Sequence, residues 1–232
     1  MRVAAIVPAA GAGRRLKSAT RKLFVPLNGA PLLLHTLRAL ERCPSIRWII
    51  PVVAAHDRTR VAALIATHRI TKALTPCAGG VSRAESVARG FAALPADAKW
   101  VLVHDGARPC VSPSLIEQAV QSAKRDGAVA CGLPASLTVK AVDEKRMVRS
   151  TLDREQLWFV QTPQVFRRDW FAQALAQANH QLDQFPDDAA ILEAAGFPVR
   201  MIPGDPLNLK ITTKDDLTLA EVILKTRNHQ RP

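Results

Sequence analysis

Short apolar runs alternate with helical patterns along most of this 232-residue chain. Residues 3–7 read as a buried strand, and residues 31–40 place apolar side chains on one face of a helix. Strands that alternate with helices favour a parallel sheet, because two parallel strands need a long crossover connection. The pattern therefore predicts an α/β fold, with a Rossmann-like, mostly parallel twisted sheet flanked by helices, in a single domain over residues 1–232.

The same two periodicities predict the remaining elements. Further strands are expected at residues 48–54, 70–74, 100–104, 128–133 and 199–202. Further helices are expected at residues 61–68, 82–94, 113–126, 169–179 and 187–195, with a last one starting at residue 213. Pro51 indicates that its strand lies at an edge or carries a bulge. Ser82 and Ser112 are expected to cap the helices at residues 82–94 and 113–126, and Asp57 or Thr59 to cap the one at residues 61–68.

Residues 138–152 break this alternation. Two strand-like runs, 138–142 and 147–152, flank a charged turn, which predicts a hairpin. We expect this hairpin to form an arm of about residues 136–155 that projects from the sheet. An isolated two-stranded hairpin is only marginally stable, so the arm is expected to pack on another surface, such as a second subunit.

The composition excludes several classes of protein. The longest apolar stretch, residues 48–55, is far too short to cross a bilayer, and no credible secretory cleavage site follows the basic residues near the N-terminus. The four cysteines lie far apart with no C-x-x-C motif, so neither a zinc ribbon nor a disulfide framework is indicated. We expect a cytoplasmic protein.

The net charge of +12 at pH 7 indicates anionic partners without choosing among them. Nucleic acid, an anionic membrane surface and small phosphorylated substrates all attract a basic protein. No run of Lys or Arg exceeds two residues, and the sequence has neither an RNA-binding aromatic motif nor a basic amphipathic helix. We therefore expect no nucleic-acid and no membrane partner. A basic RNA-binding module remains the alternative from a different class.

The first strand leads directly into a loop of small residues, 8–13, which Arg14 and Arg15 follow. Small residues let backbone N–H groups approach phosphates, and guanidinium groups neutralise phosphate charge. Leu16 stands where a dinucleotide-binding fingerprint needs a third glycine or alanine, and the chain has no Gly-Lys-Ser/Thr for a Walker A loop. The remaining pattern, with Lys22 shortly afterwards, suits a nucleotidyltransferase.

Two further segments are candidates for contact with a ligand. Asp105 follows the strand predicted at residues 100–104, and ligands bind beyond the carboxyl ends of strands in open α/β sheets. Asp105 is therefore a candidate to hold a metal ion or a ribose hydroxyl, and Arg108 either to hold Asp105 in place or to face phosphate. Gly79 and Gly80, with Ser86, stand at the expected start of a helix, where free N–H groups favour an anion or a base edge.

Five motifs follow one another in order along nearly the whole chain. They are Pro8-Ala-Ala-Gly-Ala-Gly-Arg-Arg15, Gly79-Gly-x-x-Arg83-x-x-Ser86, Val103-His-Asp-x-Ala-Arg-Pro109, Asp153-Arg154 and Asn208-x-Lys-Ile-Thr212. The first is shared with many sugar-nucleotide enzymes, whereas the ordered set resembles the 2-C-methyl-D-erythritol 4-phosphate cytidylyltransferases. These enzymes of the non-mevalonate isoprenoid pathway transfer CMP from CTP to a polyol phosphate, release pyrophosphate and require Mg²⁺.

The resemblance implies roles for the residues that match on the nucleotide side. The triphosphate of CTP would be cradled by Ala9, Ala10, Gly11 and Gly13. The transition state would be stabilised by Arg15 and Lys22. The cytosine and ribose would be accepted by Gly79, Gly80 and Ser86, with Asp105 and Ala107 nearby.

The resemblance also implies how the acceptor is held. The methylerythritol phosphate would be bound by Thr138, Arg154, Thr162 and Lys210. In the family the arm is exchanged across a homodimer, so Thr138 and Arg154 would serve the neighbouring subunit's site. The Mg²⁺ ligands are not indicated, although Asp105 is a candidate.

Two positions depart from the family's usual pattern. Arg21-Lys22-Leu23 stands where the family usually has Pro-Lys-Gln, so we expect the loop that holds Lys22 to be set differently. Leu137 stands where the arm usually offers an acid before its threonine, which leaves the identity of the acceptor open. A ribitol- or glycerol-phosphate cytidylyltransferase is the alternative within the same class.

Overall fold

Seven strands form the central sheet of this computed structural model, which describes residues 2–11, 13, 16 and 20–229. The described strands are β1 (Val3–Pro8), β2 (Pro26–Leu27), β3 (Ala30–Pro31), β4 (Ile46–Val53), β5 (Cys77–Ala78), β6 (Trp100–Val103), β7 (Ala128–Pro134), β8 (Val139–Val142), β9 (Val148–Leu152), β10 (Trp158–Arg167) and β11 (Arg200–Pro203). The described α-helices are α1 (Leu32–Arg42), α2 (Arg58–Thr67), α3 (Arg83–Ala92), α4 (Pro113–Asp126), α5 (Arg168–Ala178), α6 (Asp188–Ala194) and α7 (Lys214–His229).

The strands follow the order β11-β7-β10-β6-β1-β4-β5 across the sheet. Neighbouring strands are parallel except where β10 pairs with β6 and with β7, so β10 alone of these seven runs in the opposite direction. This confirms the mostly parallel α/β sheet that the sequence predicts. Because β1 lies between its parallel neighbours β4 and β6, the loops after these three strands meet at one edge of the sheet.

Alternate residues of β1 face opposite layers of helices. Val3, Ala5 and Val7 pack in one core with side chains of α1, α2 and α4, whereas Ala4 and Ile6 pack in a second core with α3, α5 and α6. All five side chains are fully buried. A strand covered on both faces needs apolar residues at every position, which explains the unbroken apolar run at residues 3–7.

Some sequence predictions about the strands are wrong. Residues 70–74 do not form a strand and contribute only an isolated bridge between Ile49 and Ala73, so the edge strand is β5. The strand that contains Pro51 is one position in from the edge, so the edge alternative is wrong. The strand does carry an irregularity, because its register against β1 shifts between Ile46 and Trp48, although this lies away from the proline. The strand β10 is not predicted from the sequence.

The helix caps give a mixed result. Ser82 caps α3 by accepting a hydrogen bond from Glu85 N, and Ser112 caps α4 by accepting one from Leu115 N, as the sequence predicts. The predicted cap of α2 is wrong, because Asp57 stands at the N-cap position but its side chain makes no capping hydrogen bond.

The predicted arm is a hairpin in which β8 pairs antiparallel with β9, between β7 and β10 along the chain. All five residues of β9 are exposed. Large apolar side chains are exposed on the arm and at the start of β10, namely Leu137, Val142, Met147, Val148, Leu152, Phe159 and Val160. We call this set the arm patch. The hairpin therefore has little cover from the rest of its own chain.

None of the helices in the described part of the chain is long and apolar enough to span a membrane. All four cysteines are free, and three of them are buried. Burial raises the pKa of the Cys110 thiol to about 11 and that of the Cys131 thiol to about 12. These two thiols are therefore protonated at neutral pH and are poor nucleophiles.

Candidate active site

The loops at the carboxyl edge of the sheet surround a cavity of about 570 Å³. The loop after β1, the segment between β5 and α3, and the loop after β6 each contribute to its wall, and the segment before α7 completes it. The described residues that line it are Pro8, Ala9, Ala10, Gly11, Gly13, Lys22, Leu23, Gly80, Val81, Ser82, Arg83, Ser86, Asp105, Ala107, Lys210 and Thr212.

The loop after β1 is fixed at both of its ends. Ala9 N donates to Val52 O at 2.7 Å, which ties the start of the loop to β4. Gly13 has φ of +65°, and a Cβ at this position would lie 2.6 Å from Lys22 Cβ. A residue with a side chain would clash there, so glycine is needed where the loop passes Lys22. All four residues expected to cradle the triphosphate, Ala9, Ala10, Gly11 and Gly13, line the cavity.

The two expected catalytic cations differ in what the structure describes. Lys22 begins a single turn of 3₁₀-helix, Lys22–Phe24, whose Leu23 and Phe24 side chains are buried in the first core. This anchoring brings the Lys22 side chain to the cavity. Arg15 lies outside the described residues, as do Arg14 and Ala12.

The segment between β5 and α3 packs directly on the loop after β1. A Cβ on Gly79 would lie 2.4 Å from Ala10 Cβ, so only glycine allows the two backbones to approach this closely. Gly80 N donates to Ser86 Oγ at 3.1 Å, and Ser86 Oγ donates to Ser82 O at 2.9 Å. Gly80 and Ser86 line the cavity, whereas Gly79 is one residue away from the lining.

Asp105 lines the cavity with three cations around its carboxylate. Arg83 Nε lies 3.0 Å from Oδ1, while Lys210 Nζ and Arg108 Nε lie 2.8 Å and 3.7 Å from Oδ2. Burial by itself would raise the pKa of the Asp105 carboxyl. The charges of Arg83 and Lys210 outweigh burial and hold that pKa well below its usual range. The carboxylate is therefore ionised at neutral pH.

A second carboxylate lies behind Arg83. Asp188, at the start of α6, is fully buried, and its Oδ2 accepts from Arg83 Nη2 at 2.8 Å. Burial raises the pKa of the Asp188 carboxyl by more than the charge of Arg83 lowers it. Sequence reasoning gave Arg83 no role beyond its place in a motif and missed Asp188, which carries no sequence signal apart from its position at a helix start.

Thr162 lies behind the cavity and not in its lining. Its Oγ1 accepts from Asp105 N at 3.0 Å and lies 3.0 Å from His104 Nδ1. Burial lowers the pKa of His104 to about 4, so the ring is neutral at pH 7. A neutral ring that donates from Nε2 to Arg108 O leaves Nδ1 to accept from the Thr162 hydroxyl. Thr162 thus holds the loop of Asp105, and its contact with the acceptor stays a prediction.

The four residues expected to hold the acceptor phosphate are spread over the single chain. Lys210 lines the cavity and Thr162 lies behind it. Thr138 and Arg154 are exposed at the base of the arm, where Arg154 Nη1 donates to Ser136 O at 3.0 Å. Neither of these two residues lines the cavity.

Asp105 is the one carboxylate among the described lining residues. The part of the chain that the structure describes contains no cluster of three or more His, Cys, Asp or Glu side chains able to hold a metal ion. Mg²⁺ in nucleotide sites is usually held by one or two carboxylates together with phosphate oxygens. These donors therefore fit a Mg²⁺ ion that arrives with a triphosphate, and do not fit one held by protein alone.

Comparisons with known proteins place this site in context. Residues 3–226 match the family model described as 2-C-methyl-D-erythritol 4-phosphate cytidylyltransferase. The curated protein of that name from Pelotomaculum thermopropionicum is 41% identical over 230 residues, which are 97% of this chain and 95% of the relative. The one from Desulforamulus reducens is 39% identical over 227 residues, which are 97% of each chain.

Solved structures agree with the sequence relatives. The crystal structure of 2-C-methyl-D-erythritol 4-phosphate cytidylyltransferase from Thermus thermophilus has a TM-score of 0.78 and 31% identity, over 97% of this chain and 100% of that one. The 4-diphosphocytidyl-2C-methyl-D-erythritol synthase from Anaerococcus prevotii has a TM-score of 0.82 and 26% identity, over 96% of this chain and 98% of that one. The similarity therefore extends over nearly the whole of each chain.

Proposed function

Because the chain belongs to the 2-C-methyl-D-erythritol 4-phosphate cytidylyltransferase family, we propose that it transfers CMP from CTP to 2-C-methyl-D-erythritol 4-phosphate and releases pyrophosphate. The observation that supports this most is the composition of the cavity. A glycine turn with Lys22 and an acid–base cluster with Lys210 line the same space, so two phosphorylated molecules have cationic partners there. This reaction is a step of the non-mevalonate isoprenoid pathway.

The reaction brings two anions together. An oxygen of the acceptor phosphate attacks the α-phosphorus of CTP, the bond from that phosphorus to the bridging oxygen breaks, and pyrophosphate leaves with the bonding electrons. The attacking oxygen is already anionic, so no general base is needed. The site has to align the two phosphates and offset their repulsion, which is the work of positioned cations and N–H donors.

On the nucleotide side, the loop after β1 and Lys22 supply these N–H donors and this charge. The small residues of the loop leave its backbone N–H groups open to phosphate oxygens. Lys22 adds a positive charge to the same wall of the cavity. Arg15, which follows the glycine loop in the sequence, would add a second. Both charges are most useful when the pyrophosphate departs, because negative charge then accumulates on it.

On the acceptor side, Lys210 is the surplus cation of the Asp105 cluster. Two carboxylates, Asp105 and Asp188, face three cations in this cluster, Arg83, Arg108 and Lys210. Lys210 has the most exposed side chain of the three cations, at 40%. Turning Lys210 toward an acceptor phosphate leaves two acids balanced by two arginines, so the movement strands no buried charge.

We propose Mg²⁺ as the cofactor, held by Asp105 and by oxygens of the triphosphate. When bound, the ion screens the charge of the triphosphate and of the leaving pyrophosphate. Movement of Lys210 to the acceptor frees Oδ2 of Asp105 from its nearest partner. The same movement would therefore leave Oδ2 of Asp105 available to hold the ion.

The arm supports the proposal of a homodimer. The arm patch exposes seven large apolar side chains on one hairpin and the strand beside it, which is costly in water. A second copy of this chain is the occupant that also explains Thr138 and Arg154, since they lie outside the cavity of their own chain. We further propose a cytoplasmic location, in keeping with four free cysteines.

The proposal is tested by incubating the purified protein with CTP, Mg²⁺ and one acceptor at a time while pyrophosphate release is followed. We expect release with 2-C-methyl-D-erythritol 4-phosphate, and none when CTP is replaced by NAD. Release with ribitol phosphate or glycerol phosphate alone would overturn the proposed acceptor. No release with any acceptor, together with salt-sensitive RNA binding, would support an RNA-binding module instead.

A further inference from the structure

A buried carboxylate lies beside the turn that carries Lys22. Asp57 is only 4% exposed, stands at the N-cap position of α2 and makes no capping hydrogen bond. Its Oδ2 lies 3.1 Å from Arg21 Nε, and the mostly exposed His56 lies 3.8 Å from its Oδ1. A buried carboxylate without a counter-charge is costly, so the ion pair holds Arg21 in one place.

Arg21 is the residue immediately before Lys22, and its carbonyl closes the turn. Phe24 N donates to Arg21 O at 2.9 Å. A second contact joins the same two segments, because the guanidinium carbon of Arg60 lies 3.7 Å from the centre of the Phe24 ring. The N-cap residue of α2 and Arg60 in its first turn therefore hold the turn of Lys22 at both ends, through Arg21 before it and through Phe24 after it.

Lys22 is also confined on the side of the glycine loop. A Cβ added to Gly13 would lie 2.6 Å from Lys22 Cβ and 3.3 Å from Lys22 Cδ, so the Lys22 side chain passes directly beside Gly13. A lysine side chain has several rotatable bonds, so the position of its backbone and stem limits where its charged end can lie. The ion pair fixes that backbone from one side, and the loop limits the stem from the other.

We propose that the ion pair between Arg21 and Asp57 positions Lys22 for the transfer reaction. Arg21 acts through its neighbour and is a positioning residue. The inference rests on the proposed catalytic role of Lys22. It also gives a physical account of Arg21, one of the two departures from the family pattern that the sequence shows.

The first experiment compares Arg21→Met, Asp57→Asn, the double variant and Arg21→Lys in the pyrophosphate-release assay. We expect each single removal to lower kcat by roughly 10- to 100-fold, since a small displacement of a catalytic group has effects of this size. KM for the acceptor should stay unchanged. The double variant should be no worse than either single one, because both remove the same pair. Arg21→Lys should restore most of the rate.

Arg200→Met and Asp126→Asn provide matched controls. They remove the ion pair in which Arg200 Nε lies 2.7 Å from Asp126 Oδ1. Arg200 belongs to the edge strand β11, at the other end of the strand order from β4 and β5, and we expect wild-type kcat from both variants. Thermal unfolding measured by circular dichroism reports whether each variant is folded at the assay temperature. If Asp57→Asn does not fold, Arg21→Met and its rescue by Arg21→Lys decide the question.

The second experiment repeats Arg21→Met in a Lys22→Ala background. If the ion pair acts through Lys22, its loss should not reduce the residual rate further. A further loss in that background would overturn the inference. So would a rise in KM for CTP with Arg21→Met but not with Asp57→Asn, because Arg21 would then bind the nucleotide directly. A Lys22→Ala enzyme with normal kcat would instead refute the proposed role of Lys22.

Discussion

The cavity and the arm present their candidate residues in opposite ways. At the cavity, Asp105 in the lining and Asp188 behind it are buried, and Arg83, which is distant from both in sequence, pairs with each of them. On the arm, Thr138 and Arg154 are exposed beside the apolar arm patch. The cavity, with the proposed nucleotide contacts and Lys210, is thus assembled by the fold of one chain, whereas the proposed acceptor side also needs two residues that this fold leaves outside the cavity. Substitutions on each side test this contrast.

The largest effect is expected where charge is buried. Asp105→Asn leaves Arg83 and Arg108 facing one carboxylate fewer, and losing one partner of a buried pair costs about 3–5 kcal/mol. Urea unfolding should show this loss in the free energy of unfolding. Asp97→Asn is the control, because its 3.3 Å pair with Arg2 is exposed and is worth about 0.5 kcal/mol. Equal losses in the two variants would contradict the contrast between buried and exposed charge.

The pH dependence of stability tests the buried side a second time. The pKa of His104 is about 4 in the fold, below the value of 6.5 that it has when exposed. Between about pH 6.5 and pH 4, His104 in the unfolded chain therefore binds a proton that His104 in the folded chain does not bind. Stability from the neutral ring is fully present above about pH 6.5 and decreases as the pH falls to about 4, by about 3 kcal/mol in total.

The variant His104→Gln should reduce this slope when unfolding free energies are measured from pH 7 to pH 4. The slope will not vanish, because burial also lowers the pKa of His35. Asp105, whose pKa is held low, contributes to acid sensitivity from about pH 5 downward, where its unfolded form begins to take up a proton. An unchanged slope in His104→Gln would show that the ring is not kept neutral by the fold.

Removal of Lys22 should affect rate without affecting stability. We expect Lys22→Ala to lower kcat by about 10²-fold, the size found for the loss of one donor that stabilises a transition state. The midpoint of thermal unfolding should stay close to that of the wild type. A variant that unfolds early would assign Lys22 to the structure instead of the chemistry.

The smallest single effect is expected on the arm. Arg154→Ala should raise KM for the acceptor by about tenfold, since one charge-assisted hydrogen bond is worth about 1.5–3 kcal/mol. KM for CTP should not change. An effect on CTP alone would place Arg154 on the nucleotide side and remove the contrast.

Mixing subunits sharpens the same comparison. Mixed dimers of Lys22→Ala and Arg154→Ala subunits contain one fully intact site if the arm serves the neighbouring chain. When the acceptor concentration is well below the KM of the Arg154→Ala variant, activity should then rise above that of either variant alone. If each arm serves its own chain, every site keeps one defect, and mixing will restore nothing.

The sequence predicts the body of the sheet well, since β1, β6 and β7 are buried on both faces and their apolar runs are unambiguous. It misses β10 because Gln161, Thr162, Pro163 and Gln164 interrupt the strand pattern. The register of β10 shifts at this point, where Gln161 and Thr162 turn to hydrogen bonds with the loops around the cavity. A segment that serves a site loses the regular pattern by which strands are recognised.

Only part of the candidate site could be predicted from the sequence, because only part of it is built from residues that are neighbours in the chain. The residues of the loop after β1 are neighbours in sequence, so their joint role is visible in the motif. In the cluster at Asp105, Arg83 meets carboxylates that are 22 and 105 positions away, and no local pattern encodes such meetings. Asp57 shows the limit most clearly: it stands where a cap is expected, and only tertiary structure shows its pairing with Arg21.

The way the hairpin joins the sheet has a consequence for engineering. Pro134 and Trp158 are cross-strand partners, and Ala135 N donates to Leu157 O at 2.9 Å. The two ends of the arm are therefore already paired with each other at its base. A turn of about two to five residues bridges such a gap in ordinary hairpins. Residues 136–156 are therefore a detachable module. A shortened protein would retain every strand of the central sheet and every residue that lines the cavity. Grafting another hairpin at the same junction would redirect assembly, and it would also remove Thr138 and Arg154 from the proposed acceptor site.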